Sequence, residues 1–475
     1  MTEYLYSGLV LIVDLEKEET EEIDLEDELI EEKIGGAAVN IALYEEHKED
    51  DPIILGTGIF TSTLVPGSAL GIITAKSPIN KRVCHVPITL FAGCDLKLSG
   101  FDFVVIKGKA ETPVYLWLRD MIADIHDASE VWNKDTWETT DYLRSELGEE
   151  RIQVLNIGTA GENKVDISQI CNNYWGSADR FGIASIFGDK NLKAIAMRGL
   201  GELEIKDPKS FFDKALELLE VARNRKIDVL DLMPNGRAEI ENMLHRRVSC
   251  FNCGYACNLF LKFREDPKVM VSSHIEEPGI LVQDISHLIG FSNFKLSLAE
   301  IIEVIEKCYR LGLDPVSVSK IARGDSKEKV MREIEGFASG TYDLPEARFD
   351  GIIPYPTIKD SGLLQGFGIF SNWMTLHIGD VTDITEAEAW VYRNALSYIL
   401  GICPILMLGA NFNEKDLLEL INLGTEFEID SETLSDKIKN MVGDSIKLGG
   451  EERDIHNSLK SGDFDSNLKD LLRKF

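Results

Sequence analysis

Nowhere does this 475-residue chain carry the run of roughly 18 apolar residues that a membrane-spanning helix needs. Its longest apolar stretch, Ile399 to Ala410, is shorter than that and contains Pro404. The first residues, Met-Thr-Glu-Tyr-Leu-Tyr-Ser-Gly, lack the basic region and the apolar region of a secretory signal. A cytoplasmic location and no membrane partner are therefore expected. Positive charge is also scarce, with 50 Lys and Arg against 81 Asp and Glu and a net charge of −31. That deficit excludes an extended nucleic-acid interface, which needs clustered cations to displace counterions. It also disfavours adsorption to an anionic bilayer. Low-complexity linkers and repeat arrays are missing as well. The eight cysteines, Cys84, Cys94, Cys171, Cys250, Cys253, Cys257, Cys308 and Cys403, are unevenly spread, with three falling within eight residues. In a large cytoplasmic chain that spacing points to a metal or redox centre and not to a disulfide framework. What remains, 44% hydrophobic and 28% charged residues, is the composition of a globular protein. The length suits about two to four domains.

The N-terminal third reads as mostly β. Residues 7–15, 70–77, 102–108, 114–120 and 152–158 are short apolar runs bounded by Gly, Pro, Asp or Lys. Helices interrupt them at 37–47 and at 139–147, the second with Thr139 or Thr140 as its cap. The acidic stretch from Glu16 to Glu32 reads as a solvated hairpin and helix edge. After about Gly201 apolar residues recur at three- and four-residue spacing, in 210–224, 298–311 and 386–400. The expected fold class is α+β: a β-rich region over 1–201, then a helical region over 202–475 in two subdomains.

Two of these helices echo each other. Ser297 with Glu300, and Thr385 with Glu388, have the spacing of capping boxes. The helices end in Tyr309-Arg-Leu-Gly-Leu-Asp-Pro315 and Tyr398-Ile-Leu-Gly-Ile-Cys-Pro404. A Gly after the last turn suits a left-handed cap, and the following Pro blocks continuation. The phrase fits two ordinary helix stops. It also fits two related helices presenting Asp314 and Cys403 to a common centre.

Cys250-Phe-Asn-Cys253-Gly-Tyr-Ala-Cys257 is a C-x2-C-x3-C loop. Three thiolates on one tight loop fill three corners of a site. A fourth soft ligand must come from elsewhere, and Cys403 is the natural candidate. Four thiolates suit a tetrahedral zinc or a 4Fe–4S cluster. Zinc sites usually arrive as two cysteine pairs, so three plus one favours iron–sulfur. Phe251, Tyr255 and Phe260 are placed to shield such a cluster or simply to pack a core.

With these residues in hand, the chain resembles the aldehyde ferredoxin oxidoreductase family of tungsten enzymes. The likeness runs through Pro66-Gly-Ser, Ala75-Lys-Ser-Pro78 and Leu96-Lys-Leu-Ser-Gly-Phe-Asp102. It continues through 106–117, 131–141, Ile157-Gly-Thr-Ala-Gly-Glu-Asn163 and Phe187-Gly-Asp-Lys-Asn191, to the cysteine triplet and Cys403. The resemblance implies a β-rich first domain cradling a tungsten (or molybdenum) bis-pyranopterin, with helical domains over it. It implies a 4Fe–4S cluster on Cys250, Cys253, Cys257 and Cys403 that passes electrons to ferredoxin or another iron–sulfur carrier. It implies oxidation of an aldehyde to a carboxylate. The family's two D-x-x-G-L-[DC] pterin motifs fall on the internal echo, which keeps Gly312, Leu313, Asp314, Gly401 and Ile402. Arg180 survives as a further pterin-side residue. Glu276, Glu277 and His377 fall where acid–base residues are expected. An oligomer is compatible with all of this.

The departures cluster at the pterin ends. Both leading aspartates are tyrosine, Tyr309 and Tyr398. A Gly-Gly-Arg-Gly has become Gly35-Gly-Ala-Ala38, an Arg has become Leu70, and an Asn-Ser-Gly-Gly loop has become Pro87-Ile-Thr-Leu90. Each lost charge-assisted contact weakens anion binding by roughly 1–3 kcal/mol. Two functions follow: an aldehyde oxidoreductase, or a cluster-bearing electron-transfer or scaffold subunit that has lost its pterin site.

Overall fold

A computed structural model describes residues 4–224, 228–233, 235–262, 279–342, 344, 368–370, 384–410, 412–448 and 474. Its first six strands are β1 (Leu9–Asp14), β2 (Glu19–Asp24), β3 (Ile53–Thr57), β4 (Gly71–Lys76), β5 (Val83–Ile88) and β6 (Phe103–Lys107). They form one sheet in the order β2-β1-β6-β3-β4-β5. A second sheet contains β7 (Val114–Arg119), β8 (Ile122–Asp127), β9 (Gln153–Asn156), β10 (Cys171–Asn172), β11 (Trp175–Gly176) and β12 (Leu192–Arg198). Its order is β11-β10-β9-β12-β7-β8. The period-2 alternation of each strand decides which core a side chain joins. Leu11, Val13, Ile53, Leu55, Val104 and Ile106 point to one side, into a core shared with Leu116, Leu118, Leu155, Ile195 and Met197 of the second sheet. Their neighbours Val10, Ile12, Ile54, Phe103 and Val105 point to the other side, against the helices. Apart from its exposed outer strand β2, the first sheet is thus buried on both faces, which explains the near-continuous apolar runs.

The acidic stretch takes the expected place. β2 pairs antiparallel with β1 as an outer strand, and the helix Asp27–Lys33 follows it. Its carboxylates keep that edge wet and discourage further pairing. β5 contains Pro87 and is the other outer strand, so a missing N–H there costs no ladder bond. The helix over 139–147 starts earlier than its threonines suggest, at Thr136. Asp135 caps it in a full capping box with Glu138. Thr139 and Thr140 sit inside the first turn and donate back to the Asp135 and Thr136 carbonyls, at 2.7 and 2.9 Å.

Beyond β12 the chain is mainly helical. The helices include Pro208–Arg223, Leu298–Leu311, Lys327–Ala338, Ile384–Leu400, Glu414–Gly424 and Ser431–Leu448. Ser297 and Glu300 close the expected capping box. Thr385 lies one residue inside the later helix, which begins at Ile384. The helical region also contains strands that helical spacing did not predict: β13 (Leu244–Val248), β14 (Asn258–Lys262) and β15 (Gly279–Val282), an antiparallel sheet in that order. Apolar pairs such as Leu259 with Val282 and Leu261 with Ile280 hold it together. No helix among the described residues is long and apolar enough to cross a membrane.

Candidate functional site

The cysteine triplet forms the connection between β13 and β14. The antiparallel register Val248 to Asn258 brings its ends together, so residues 249–257 must fold back tightly. Asn252 makes the reversal with a positive φ of 44°, a region Asn tolerates better than most side chains. Cys250, Cys253 and Cys257 are half-buried, and none of the eight cysteines is in a disulfide. Burial pushes the Cys250 thiol up, partly offset by the Leu90 N–H, which donates to its Sγ at 3.3 Å. The Asn258 amide lies 3.9 Å from the same sulfur. Donors aimed at sulfur are what a thiolate ligand needs.

Cys403 comes to this loop through one glycine. Gly67 donates its N–H to the Asn252 carbonyl at 3.0 Å and accepts the Cys403 N–H at 2.9 Å. Its φ of +77° is one that L side chains rarely adopt, and a Cβ there would press on the Leu406 side chain. The Asn252 amide also donates to the Leu64 carbonyl. Cys403 then stands at the start of the helix Pro404–Gly409. The donor set is three thiols on a loop and one on a helix start, which suits a 4Fe–4S cluster. Among the described residues no three Cys, His, Asp or Glu side chains converge on one metal ion. Sequence reasoning missed the clasp: Gly67, Asn252 and Leu90 act through the backbone, and only the Pro66-Gly-Ser turn gave any sign of it.

The shielding aromatics divide. Phe260 is buried with Leu90 and Leu281, and Cys250 packs against that group. Phe251 is half-buried and meets the exposed Phe91 edge-on, with ring centroids 6.5 Å apart. Tyr255 is half-buried against the main core.

The internal echo is a repeated docking geometry. Gly58 follows β3, and a Cβ on it would run into the Gly401 backbone. Gly158 follows β9, and a Cβ on it would run into the backbone of Leu311 and Gly312. Each motif is then clasped by a loop further on. The Leu70 N–H donates to the Gly401 carbonyl at 3.3 Å, and the Gln169 N–H to the Gly312 carbonyl at 2.8 Å. The Cys403 N–H donates to Gly67, and the Asp314 N–H to Ile167 at 2.9 Å. Leu313 forms a β-bridge with Ser168, and Ile402 is fully buried. Both glycines take a positive φ, 70° at Gly312 and 76° at Gly401. One sheet seats one motif and the other sheet seats the other.

Arg180 joins the first motif end. Its guanidinium donates to Asp314 at 2.6 Å, to Asp284, and to Ser286 at 2.9 Å. Asp314 also caps the helix Pro315–Ile321 through Val316 and Ser317. Burial pushes the Asp284 carboxyl up, with Arg180 opposing it. His287 Nδ1 lies 2.7 Å from the Tyr309 hydroxyl. Burial, and then Arg180, hold that imidazole well below its usual range, so it is neutral. No sequence signal marked Asp284, Ser286 or His287. Glu276, Glu277 and His377 lie outside the described residues.

A bis-pyranopterin does not fit these ends as they stand. Tyr309 is fully buried, with its ring against the Gly176 backbone. Tyr398 is fully buried between Phe370 and His85, at centroid separations of 5.0 and 6.2 Å. Ala37 and Leu70 are buried in the apolar core, where a phosphate would need cations.

The family model described as aldehyde ferredoxin oxidoreductase, N-terminal domain, matches residues 10–199. The tungsten-containing aldehyde ferredoxin oxidoreductase of Pyrococcus furiosus is 31% identical over 468 residues, covering 88% of this chain and 76% of that protein. The protein of that name from Pyrococcus horikoshii is 32% identical over 248 residues, 50% of this chain. That match spans only 41% of the relative's own length. In fold, the chain is similar to the active site complex BamBC of benzoyl coenzyme A reductase in complex with 1,5 dienoyl-CoA. The TM-score is 0.78 at 18% identity, with 100% of this chain and 94% of that chain covered.

Proposed function

Because this chain belongs to the aldehyde ferredoxin oxidoreductase family, we propose that it is a redox protein built around a 4Fe–4S cluster on Cys250, Cys253, Cys257 and Cys403. It exchanges electrons with ferredoxin or another iron–sulfur carrier. Bound there, the cluster supplies one-electron transfer. The protein's own groups set the conditions for it. The Leu90 N–H steadies the Cys250 sulfur, Asn252 turns the loop, and Gly67 fixes Cys403 against it. Phe260, Leu90 and Leu281 exclude water from one side. Exposed Leu64 and Phe91, 44% and 45% accessible, border the same loop and leave an apolar rim for a partner.

The observation that carries this reading is the double hydrogen bond of Gly67, which ties the triplet loop to Cys403. Stopped-flow mixing of anaerobically reduced protein with oxidised ferredoxin tests it. Oxidation of the protein on mixing is expected, and it should be lost in Cys403→Ala. A reduced protein that keeps its electrons in the presence of ferredoxin would refute the electron-transfer role.

A second reading, which the packing at Tyr309 and Tyr398 opposes, is oxidation of an aldehyde to a carboxylate at a tungsten or molybdenum bis-pyranopterin, with Glu276, Glu277 and His377 as acid–base residues. The likeness to the Pyrococcus furiosus enzyme over 88% of this chain favours it. Aldehyde-dependent reduction of a viologen dye would establish it.

A further inference from the structure

The two motif ends deserve to be read as packed interior. At the first, the guanidinium, carboxylate and tyrosine groups have partners from the chain, while His287 Nε2 and Ser168 Oγ have none. Arg180 is held by Asp314, Asp284 and Ser286. Asp314 spends its other oxygen on the Ser317 N–H and hydroxyl, at 2.9 and 2.6 Å. The Tyr309 hydroxyl is taken by His287, and the Tyr309 carbonyl by Thr136 at 2.9 Å. At the second end, aromatic rings do the filling. Tyr398, Phe370 and Trp390 form a chain, with His85 against the first two. His85 is itself fixed by Thr74 at 2.8 Å and Ser445 at 3.2 Å. The Tyr398 hydroxyl has no hydrogen-bond partner, and it is a neutral group where the resemblance calls for a carboxylate. The Gly36 backbone rests on the Tyr398 carbonyl, so the segment that held the family's arginine is already in contact with the motif. The buried cation nearest Gly58 is Lys97, which donates to Gly58 and Ile59 carbonyls at 3.0 and 3.2 Å.

We infer that both pterin-binding ends are sealed by the chain's own side chains, so that this protein keeps the two docking corners as structure and holds no bis-pyranopterin. Tyr309 with His287 closes one end, and Tyr398 with His85 and Phe370 closes the other. The inference rests on family membership and on the packing at 309 and 398, and it stands apart from whether the cysteines carry a cluster. It makes the fold independent of tungsten and molybdenum supply.

The test uses the full chain, purified without oxygen from cells given tungstate and molybdate. An unaltered family member with aspartates at both motif starts is prepared from the same host. Pterin is read by the fluorescence of its oxidised form, and tungsten, molybdenum and iron by mass spectrometry. Pterin, tungsten and molybdenum at background here, with the companion protein loaded, is the expected result. Stoichiometric pterin with either metal in this chain would overturn the inference. Melting temperature gives a second reading: it should be unchanged when both oxyanions are withheld, and a fall would count against sealing. Iron content decides the cluster proposal separately, so a protein free of both pterin and iron would sink that reading alone.

Discussion

Single residues here are committed to other residues, and removing one exposes its partners. Arg180 is the sharpest case, because it is the direct cationic partner of two fully buried carboxylates, Asp284 and Asp314. Arg180→Met leaves both without that partner. A loss of about 3–5 kcal/mol in unfolding free energy is expected, measurable by anaerobic denaturant titration. A change within the error of the titration would mean that the network is not as closed as it is drawn. His85 gives a pH signature. Burial lowers its pKa from the ordinary histidine range to about 3. The unfolded chain therefore binds a proton that the folded chain refuses between about pH 6.5 and pH 3. Its contribution is fully favourable above pH 6.5 and is lost as pH falls through that window, by up to about 1.4 kcal/mol per pH unit. His85→Gln should flatten this part of the stability curve while keeping a polar group near Thr74 and Ser445. An unaltered acid slope would show that other groups, such as His287, dominate it.

Elements meet through glycines. Gly58 and Gly158 each follow a strand, and each is where a helix-ending motif lands. Gly158→Ala or Gly58→Ala should cost roughly 1–3 kcal/mol, because the neighbour is backbone and cannot rotate away. Gly148→Ala is the contrast, since it meets nothing within 4 Å and suffers only from its positive φ. If the three substitutions prove equal in thermal unfolding, the docking corners carry no special weight. This scale also shows what could be read from the chain alone. The apolar strands, the long amphipathic helices and the Ser297 box were legible because each signal is local. The echo was legible as a phrase, but only the contacts with Gly58 and Gly158 distinguish docking from two ordinary stops. Asp135 was passed over as a cap because Thr139 and Thr140 look equally suitable, and tertiary contact with Arg310 at 2.7 Å favours the aspartate. The strands around the cysteines were missed because their apolar pairing is across strands, not along one. Asp284 and His287 were invisible because nothing in a one-dimensional spacing marks a partner more than a hundred residues from Arg180.

Over the whole molecule, two sheets of the same docking design seat two related motifs, and the cysteine quartet lies at one of those seats. The family's scaffold is kept, while the side chains at its pterin ends have turned into core. Retention of Cys250, Cys253, Cys257 and Cys403 beside those losses is the reason the proposed chemistry rests on a cluster. The most direct test is electron paramagnetic resonance with iron analysis on dithionite-reduced, anaerobic protein, alongside Cys403→Ala. The account predicts about four irons per chain and a reduced 4Fe–4S signal, abolished or converted to a three-iron signal in the variant. A chain holding zinc without iron, or a Cys403→Ala spectrum identical to that of the unaltered protein, would contradict it.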